Sequence, residues 1–166
     1  MTAALASLQI PVIWLMIPLF LAVILFDLRQ MRIPNALVLL VLVIAAVSLP
    51  LSVSLTEFGL RLLAAGIVLI LGVSLFALRL MGGGDVKFLG ALTLMIPTDQ
   101  LAIFALLLSA AIFAGVAALY LARRAVSGSA TRWRSLEDHS RYPLGLSIGL
   151  AGIGFALVAP ILTSAI

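Results

Sequence analysis

The 166-residue chain has no cysteine, one histidine, one lysine and only 10% charged residues, and each shortage closes off a class of function. Without cysteine there is no disulfide framework, thiolate metal site, thiol nucleophile or redox pair. A single histidine, with no serine in a recognisable nucleophile elbow, argues against serine-triad and zinc-hydrolase chemistry. No metal or organic cofactor is expected. So little charge cannot cover a water-facing surface, since soluble domains carry roughly 25%. What is present instead is hydrocarbon: 64% of the residues are hydrophobic and the mean hydropathy is +1.34. These proportions predict one integral membrane domain, residues 1–166, with lipid as its main solvent. The net charge of +4 would suit a nucleic-acid partner, but nine of the ten basic residues are arginines set in short gaps between apolar runs. That placement reads as topology control, with no nucleic-acid partner.

Cutting at charges and turn signals gives apolar runs at 10–26, 36–55, 62–78, 88–97, 101–122 and 142–166. Most approach the roughly 20 residues that cross about 30 Å of hydrocarbon, so the fold class is all-α and polytopic with six transmembrane helices, the fourth short and preceded by a glycine-rich loop. No basic residue leads the first run and no small-residue cleavage site precedes Asp27, so a removable signal peptide is not expected. The gaps alternate in charge. Arg29 and Arg32 follow the first run, Arg79 and Lys87 bracket the gap before the fourth, and Arg123, Arg124, Arg132, Arg134 and Arg141 fill the gap before the sixth. The positive-inside rule assigns these nine to the cytoplasm and both termini to the outside of the plasma (inner) membrane. The other gaps carry Glu57 and Asp99, with Arg61 four residues after Glu57, where a helix would pair them.

The polar stretch 123–141 reads as a cytoplasmic loop for orientation and lipid contact, with Trp133 at headgroup level. His139, beside Glu137 and Asp138, is assigned no role. No heptads or solenoid-period repeats occur.

The informative segment is Gly82-Gly83-Gly84-Asp85-Val86-Lys87. Each glycine costs about 1 kcal/mol relative to alanine inside a helix, so three together indicate flexible or tightly turned backbone. From Asp85 to Pro97 is twelve residue steps, about 18 Å of helix, well short of a bilayer core. Asp85 is therefore expected below the membrane surface, in a crevice open to the cytoplasm, because irregular backbone at that depth must be covered by protein or line a watery cavity. Asp27 ends the first run on the same side, followed by Ile33-Pro34-Asn35, where Pro34 suits a first helical turn and Asn35 can cap. The plain reading of Asp27 is a helix-end carboxylate neutralised by Arg29 or Arg32. Asp85 resists that reading, since an ionisable group inside the membrane is a functional candidate by default and Lys87, two residues on, faces elsewhere on a helix.

Two carboxyls meeting in a partly dry site share a proton, which is the chemistry of an aspartic protease: one takes a proton from water while the other hydrogen-bonds the scissile carbonyl.

The motif Gly82-Gly83-Gly84-Asp85 resembles the G-x-G-D signature of intramembrane aspartyl proteases. With Asp27, Ile33-Pro34-Asn35 and Tyr142-Pro143-Leu144-Gly145 in order, nearly the whole chain resembles the bacterial type IV prepilin peptidases. The resemblance implies that Asp27 and Asp85 are the catalytic pair and that the substrate is a prepilin, cut between its cytoplasmic leader and its hydrophobic helix. Larger family members carry a cytoplasmic insert with paired C-x-x-C motifs and N-methylate the product. This chain lacks both, and so looks like the short form of tight-adherence (Flp) pili, cleaving without methylation, with pilus assembly or secretion machinery as a further partner. Archaeal preflagellin peptidases share the motif, whereas presenilin-like members place a tyrosine where Phe26 precedes Asp27.

Supporting roles fall to Gly82 and Gly84, which let the loop bring Asp85 to Asp27, and to Lys87 and Asn35, which would bind substrate backbone or steady the pair. Gly145 and Gly149 make a G-x-x-x-G step suited to helix packing, and Arg79 is expected to snorkel. Two rivals share the features: a proton- or ion-coupled transporter using the same aspartates, and a membrane scaffold in which they pair with arginines.

Overall fold

The computed structural model describes residues 14–126, 134–137 and 142–164. Within them the chain is all-α, with six helices of two turns or more: α1 (Ile17–Gln30), α2 (Asn35–Ser52), α3 (Leu55–Ala77), α4 (Gly83–Thr93), α5 (Leu101–Val126) and α6 (Leu144–Ser164). A 3-10 turn, Thr98–Gln100, leads into α5, and a single helical turn, Arg134–Glu137, precedes α6. Trp133 and His139 lie outside the described residues.

Local chemistry sets several of the ends. Proline in the first turn of α1 costs no hydrogen bond, and Ser54 caps α3 by accepting the Glu57 N–H at 3.2 Å. The helices α1 and α3 stop at residues with left-handed backbone, Met31 (φ 51°) and Arg79 (φ 61°). Pro34, with ψ 138°, turns the chain into α2 and no side chain caps that end; Asn35 is instead exposed as the first helical residue.

Four helices, α2, α3, α5 and α6, are long and apolar enough to cross a membrane. Much of their large apolar surface faces outward, including Phe113, Ile70 and Leu39, as lipid rather than water requires. The described part of α1 has 14 residues and α4 has 11. At 1.5 Å per residue α4 is only about 16 Å long, so protein must cover its polar ends. Its neighbours α2, α3 and α6 do so, and Val86, Phe88, Gly90, Ala91 and Leu92 are all buried.

Lipid tails supply no hydrophobic drive between helices, so close packing has to come from small residues. A methyl group on Gly72 would come within 2.7 Å of Val86 Cγ1, which marks how tightly α3 lies on α4. On α6, Gly149 approaches the Phe20 carbonyl of α1 so closely that a methyl there would lie 2.9 Å from it. The core formed in this way centres on Phe20, Val23, Val41, Phe88, Ile96 and Ile148. Helix α6 packs on α1 and α5, α4 packs on α2 and α3, and the two sets touch where α4 meets α6.

The glycine run departs from the sequence expectation in one respect. Gly83 and Gly84 are the first two residues of α4, not a loop ahead of it, and Gly82 is its cap with ordinary extended backbone (φ −74°, ψ 141°). What these positions need is space: a methyl at Gly83 would press on the Phe76 ring at 3.3 Å, and one at Gly84 on the Ile33 backbone at 3.2 Å.

Candidate active site

Asp27 lies in the last turn of α1 and is 3% exposed. Its Oδ2 accepts the Leu146 N–H at 3.0 Å, and the Gly145 backbone is a second hydrogen-bond partner. Both belong to the first turn of α6, where backbone N–H groups lack helical partners and the helix dipole favours negative charge. The carboxyl therefore takes its hydrogen bonds from α6 and not from Arg29 or Arg32. Gly145 serves this contact rather than helix packing, because a methyl group on it would sit 2.8 Å from Asp27 Cγ. Of the two glycines in the G-x-x-x-G step, only Gly149 packs against helix α1's backbone.

Asp85 is the third residue of α4, half-buried, and hydrogen-bonds the Gly82 backbone. The carboxyl folds back over Gly82, where a methyl would approach Oδ2 to 2.6 Å. Asp27 lies close enough for the two charges to interact. Residues 58 positions apart in the chain thus lie at one end of the bundle within electrostatic range of each other, and among the described residues no ion pair joins either carboxyl to a lysine or arginine. Gly84 lies against Ile33, whose side chain is buried in the core, so the α1–α2 loop is braced on the start of α4. Lys87 and Asn35 are both exposed, neither hydrogen-bonded to the carboxyls.

Tyr142 stands just ahead of α6. Its hydroxyl bonds Ser147 Oγ, which in turn donates to the Ala111 carbonyl of α5 at 3.0 Å. Burial pushes the Tyr142 phenol above its ordinary value, the Ser147 bond acts the other way, and the nearby Asp27 charge adds to the rise. The hydroxyl is thus neutral and able to donate at physiological pH.

At the other end of α4 the Glu57–Arg61 pair forms as the spacing predicts, with Nε to Oε1 at 2.8 Å. Arg61 is 2% exposed and reaches the Leu94 and Met95 carbonyls at 3.5 Å, just beyond α4. Glu57 also accepts the Thr98 N–H at 3.0 Å and its hydroxyl at 2.7 Å. Among the described residues no three His, Cys, Asp or Glu side chains gather as a metal site would require.

The model of the type IV leader peptidase family matches residues 14–119, which include Asp27, the glycine motif and Asp85. The chain belongs to the type IV leader peptidase family. This leader peptidase is accordingly a peptidase and an integral membrane protein, with four helices able to span. Comparison with curated proteins and with solved structures returned no match. The family match stops short of α6, so the Leu146 and Gly145 contacts to Asp27 come from a part of the leader peptidase outside it. Sequence reading had missed that contact. The signal available was a proline two residues before a glycine at a helix start, on the same side as Asp27.

Proposed function

We propose that this leader peptidase is an aspartic endopeptidase that cuts the leader from Flp-type prepilins at the cytoplasmic edge of the inner membrane, without methylating the product. The observation that carries the reading is two acidic side chains at one bundle end, close enough for their charges to interact, with backbone N–H donors and, among the described residues, no ion pair to a cation. Asp27, held by the first turn of α6, suits the ionised role, since charge-assisted bonds from N–H groups favour a carboxylate. Asp85 then carries the shared proton.

In the cleavage step a water between the two gives its proton to Asp27 while its oxygen bonds the scissile carbonyl carbon. Asp85 passes its proton to the carbonyl oxygen. In the resulting tetrahedral intermediate, Asp27 returns the proton to the amide nitrogen, the carbon–nitrogen bond breaks, and the hydroxyl proton goes back to Asp85 as the new carboxyl forms. Gly82 and Gly84 give the Asp85 turn its room; Lys87 and Asn35, exposed near it, are assigned to the leader backbone. The absence of cysteine supports cleavage without the methylation that the C-x-x-C-bearing members perform.

Co-expression with a Flp-type prepilin, read by mass, tests the proposal. Wild type removes the leader; Asp27→Asn and Asp85→Asn leave it intact; Asp→Glu at either position loses about a hundredfold or more, since the bridging water tolerates little displacement. Full processing by either Asn variant overturns the reading, and a scaffold held by salt bridges would tolerate Glu.

A further inference from the structure

We propose that Tyr142 is a positioning residue for Asp27, acting through a lock that fixes the start of α6 against α5. The inference rests on the peptidase reading above and adds a part to it. Asp27 is held by N–H groups of residues 145 and 146, so the carboxyl can be no better placed than the first turn of α6. Apart from the bond to Asp27 itself, the side-chain hydrogen bonds that tie this segment to another helix, among the described residues, run to α5. Tyr142 bonds Ser147 Oγ, the Tyr142 hydroxyl also points at the Ile112 carbonyl at 3.5 Å, and Ser147 donates to Ala111. With the serine proton committed to Ala111, the phenol is the donor in the pair. The two anchors, 142 and 147, bracket the residues that hold Asp27.

The recess that receives the phenol exists because residue 115 is glycine. A methyl group there would overlap the Tyr142 hydroxyl and lie 3.1 Å from Ser147 Oγ, which would have to give by a few tenths of an ångström, while the ring carbon that bears the hydroxyl would remain 3.4 Å away, an ordinary contact. The lock therefore has complementary halves, one hydroxyl and one missing methyl.

Full-length enzyme in lipid or detergent, with prepilin as substrate, gives kcat and KM, and thermal melting checks that each variant is folded. Tyr142→Phe should lower kcat about tenfold with KM within about twofold of wild type, because a fraction of an ångström at the carboxyl affects the chemical step and not the leader's binding. Gly115→Ala should lower kcat further. The double variant should stay within about twofold of Tyr142→Phe alone, since the methyl then occupies the space the hydroxyl left and Ser147 Oγ, at 3.1 Å, has only to shift by a few tenths of an ångström. A kcat for Tyr142→Phe within twofold of wild type, a rise in KM with kcat unchanged, or losses that simply multiply in the double variant would each overturn the lock. Asp27→Asn in the same assay separates the two claims: if it still cleaves, the peptidase reading fails and the lock with it. If it is dead while Tyr142→Phe is normal, only the lock fails.

Discussion

The two ends of α4 both draw carboxylates wholly or partly out of water, and they treat them in opposite ways. At the far end Glu57 has an arginine 2.8 Å away, a backbone N–H and a hydroxyl, and the arginine that neutralises it also reaches the carbonyls beyond the end of α4. At the near end Asp27 and Asp85 lie within electrostatic range of each other with backbone N–H groups as their hydrogen-bond donors. A cluster built only for stability looks like the first, because a buried charge left without a counter-charge costs several kcal/mol. Among the described residues the second sets no cation against its acid pair, and under the proposed mechanism that shortage is what leaves a proton to be shared. The lesson is that burial alone does not mark a working carboxylate. What surrounds it does.

The contrast breaks most visibly at Arg61. Replacing it with Met keeps the bulk but takes the counter-charge from the partly exposed Glu57, which keeps its Thr98 bonds, and leaves the carbonyls of Leu94 and Met95 without their donor; the variant should lose about 3 kcal/mol of stability, since each buried acceptor left without a partner costs about 1–3 kcal/mol. Thermal or denaturant unfolding in detergent measures this. Cleavage per folded molecule should stay near wild type. If activity instead collapses in enzyme that remains folded, the far end is not merely structural.

At the near end the expected pattern is the reverse, with activity lost and stability kept. Gly145→Ala places a methyl 2.8 Å from Asp27 Cγ and must displace the carboxyl; cleavage should fall about a hundredfold, the scale for a displacement of about 1 Å. Gly84→Ala is milder. Its methyl meets the Ile33 backbone at 3.2 Å, which requires a shift of a few tenths of an ångström at the start of α4, and kcat should fall about tenfold, with a melting temperature held up by the alanine's better helix propensity. Single-turnover cleavage beside a melting curve checks both variants.

How much of this was legible beforehand follows the distance along the chain over which each contact is made. The Glu57–Arg61 pair is four residues apart on one helix, so spacing alone shows it. The short α4 could be read from the distance between Asp85 and Pro97, and the common side of Asp27 and Asp85 from the arginines in the gaps. The contact from Leu146 to Asp27 spans 119 residues, and Gly145 in isolation is indistinguishable from a packing glycine. The glycine run was misread as loop because propensity weighs only a residue's own cost in a helix. It is silent about Ile33 and Phe76, which close in on α4 from elsewhere and leave no room for a methyl. Tyr142 drew notice as part of a motif, yet its partner in space, Gly115, lies in the middle of an apolar run with nothing to mark it.

The smallest expected effect asks whether strain at the near end belongs to the mechanism. Arg79 ends α3 in left-handed backbone, with the Leu80 N–H bonded to the Leu75 carbonyl at 2.9 Å in the pattern that usually places glycine at this position. An L side chain there costs about 1–2 kcal/mol, partly offset by the greater entropy glycine loses on folding, so Arg79→Gly should stabilise the protein by about 0.5 kcal/mol. Its side chain is exposed and makes no bond to either aspartate, so cleavage should be unchanged. A higher melting temperature with the same kcat would confine the near end's functional demand to the carboxyls and the backbone that holds them. A more stable enzyme that cleaves more slowly would mean that the strained turn before Gly82 helps to bring Asp85 to its partner, and the contrast between the two ends would then have to include the loop as well as the charges.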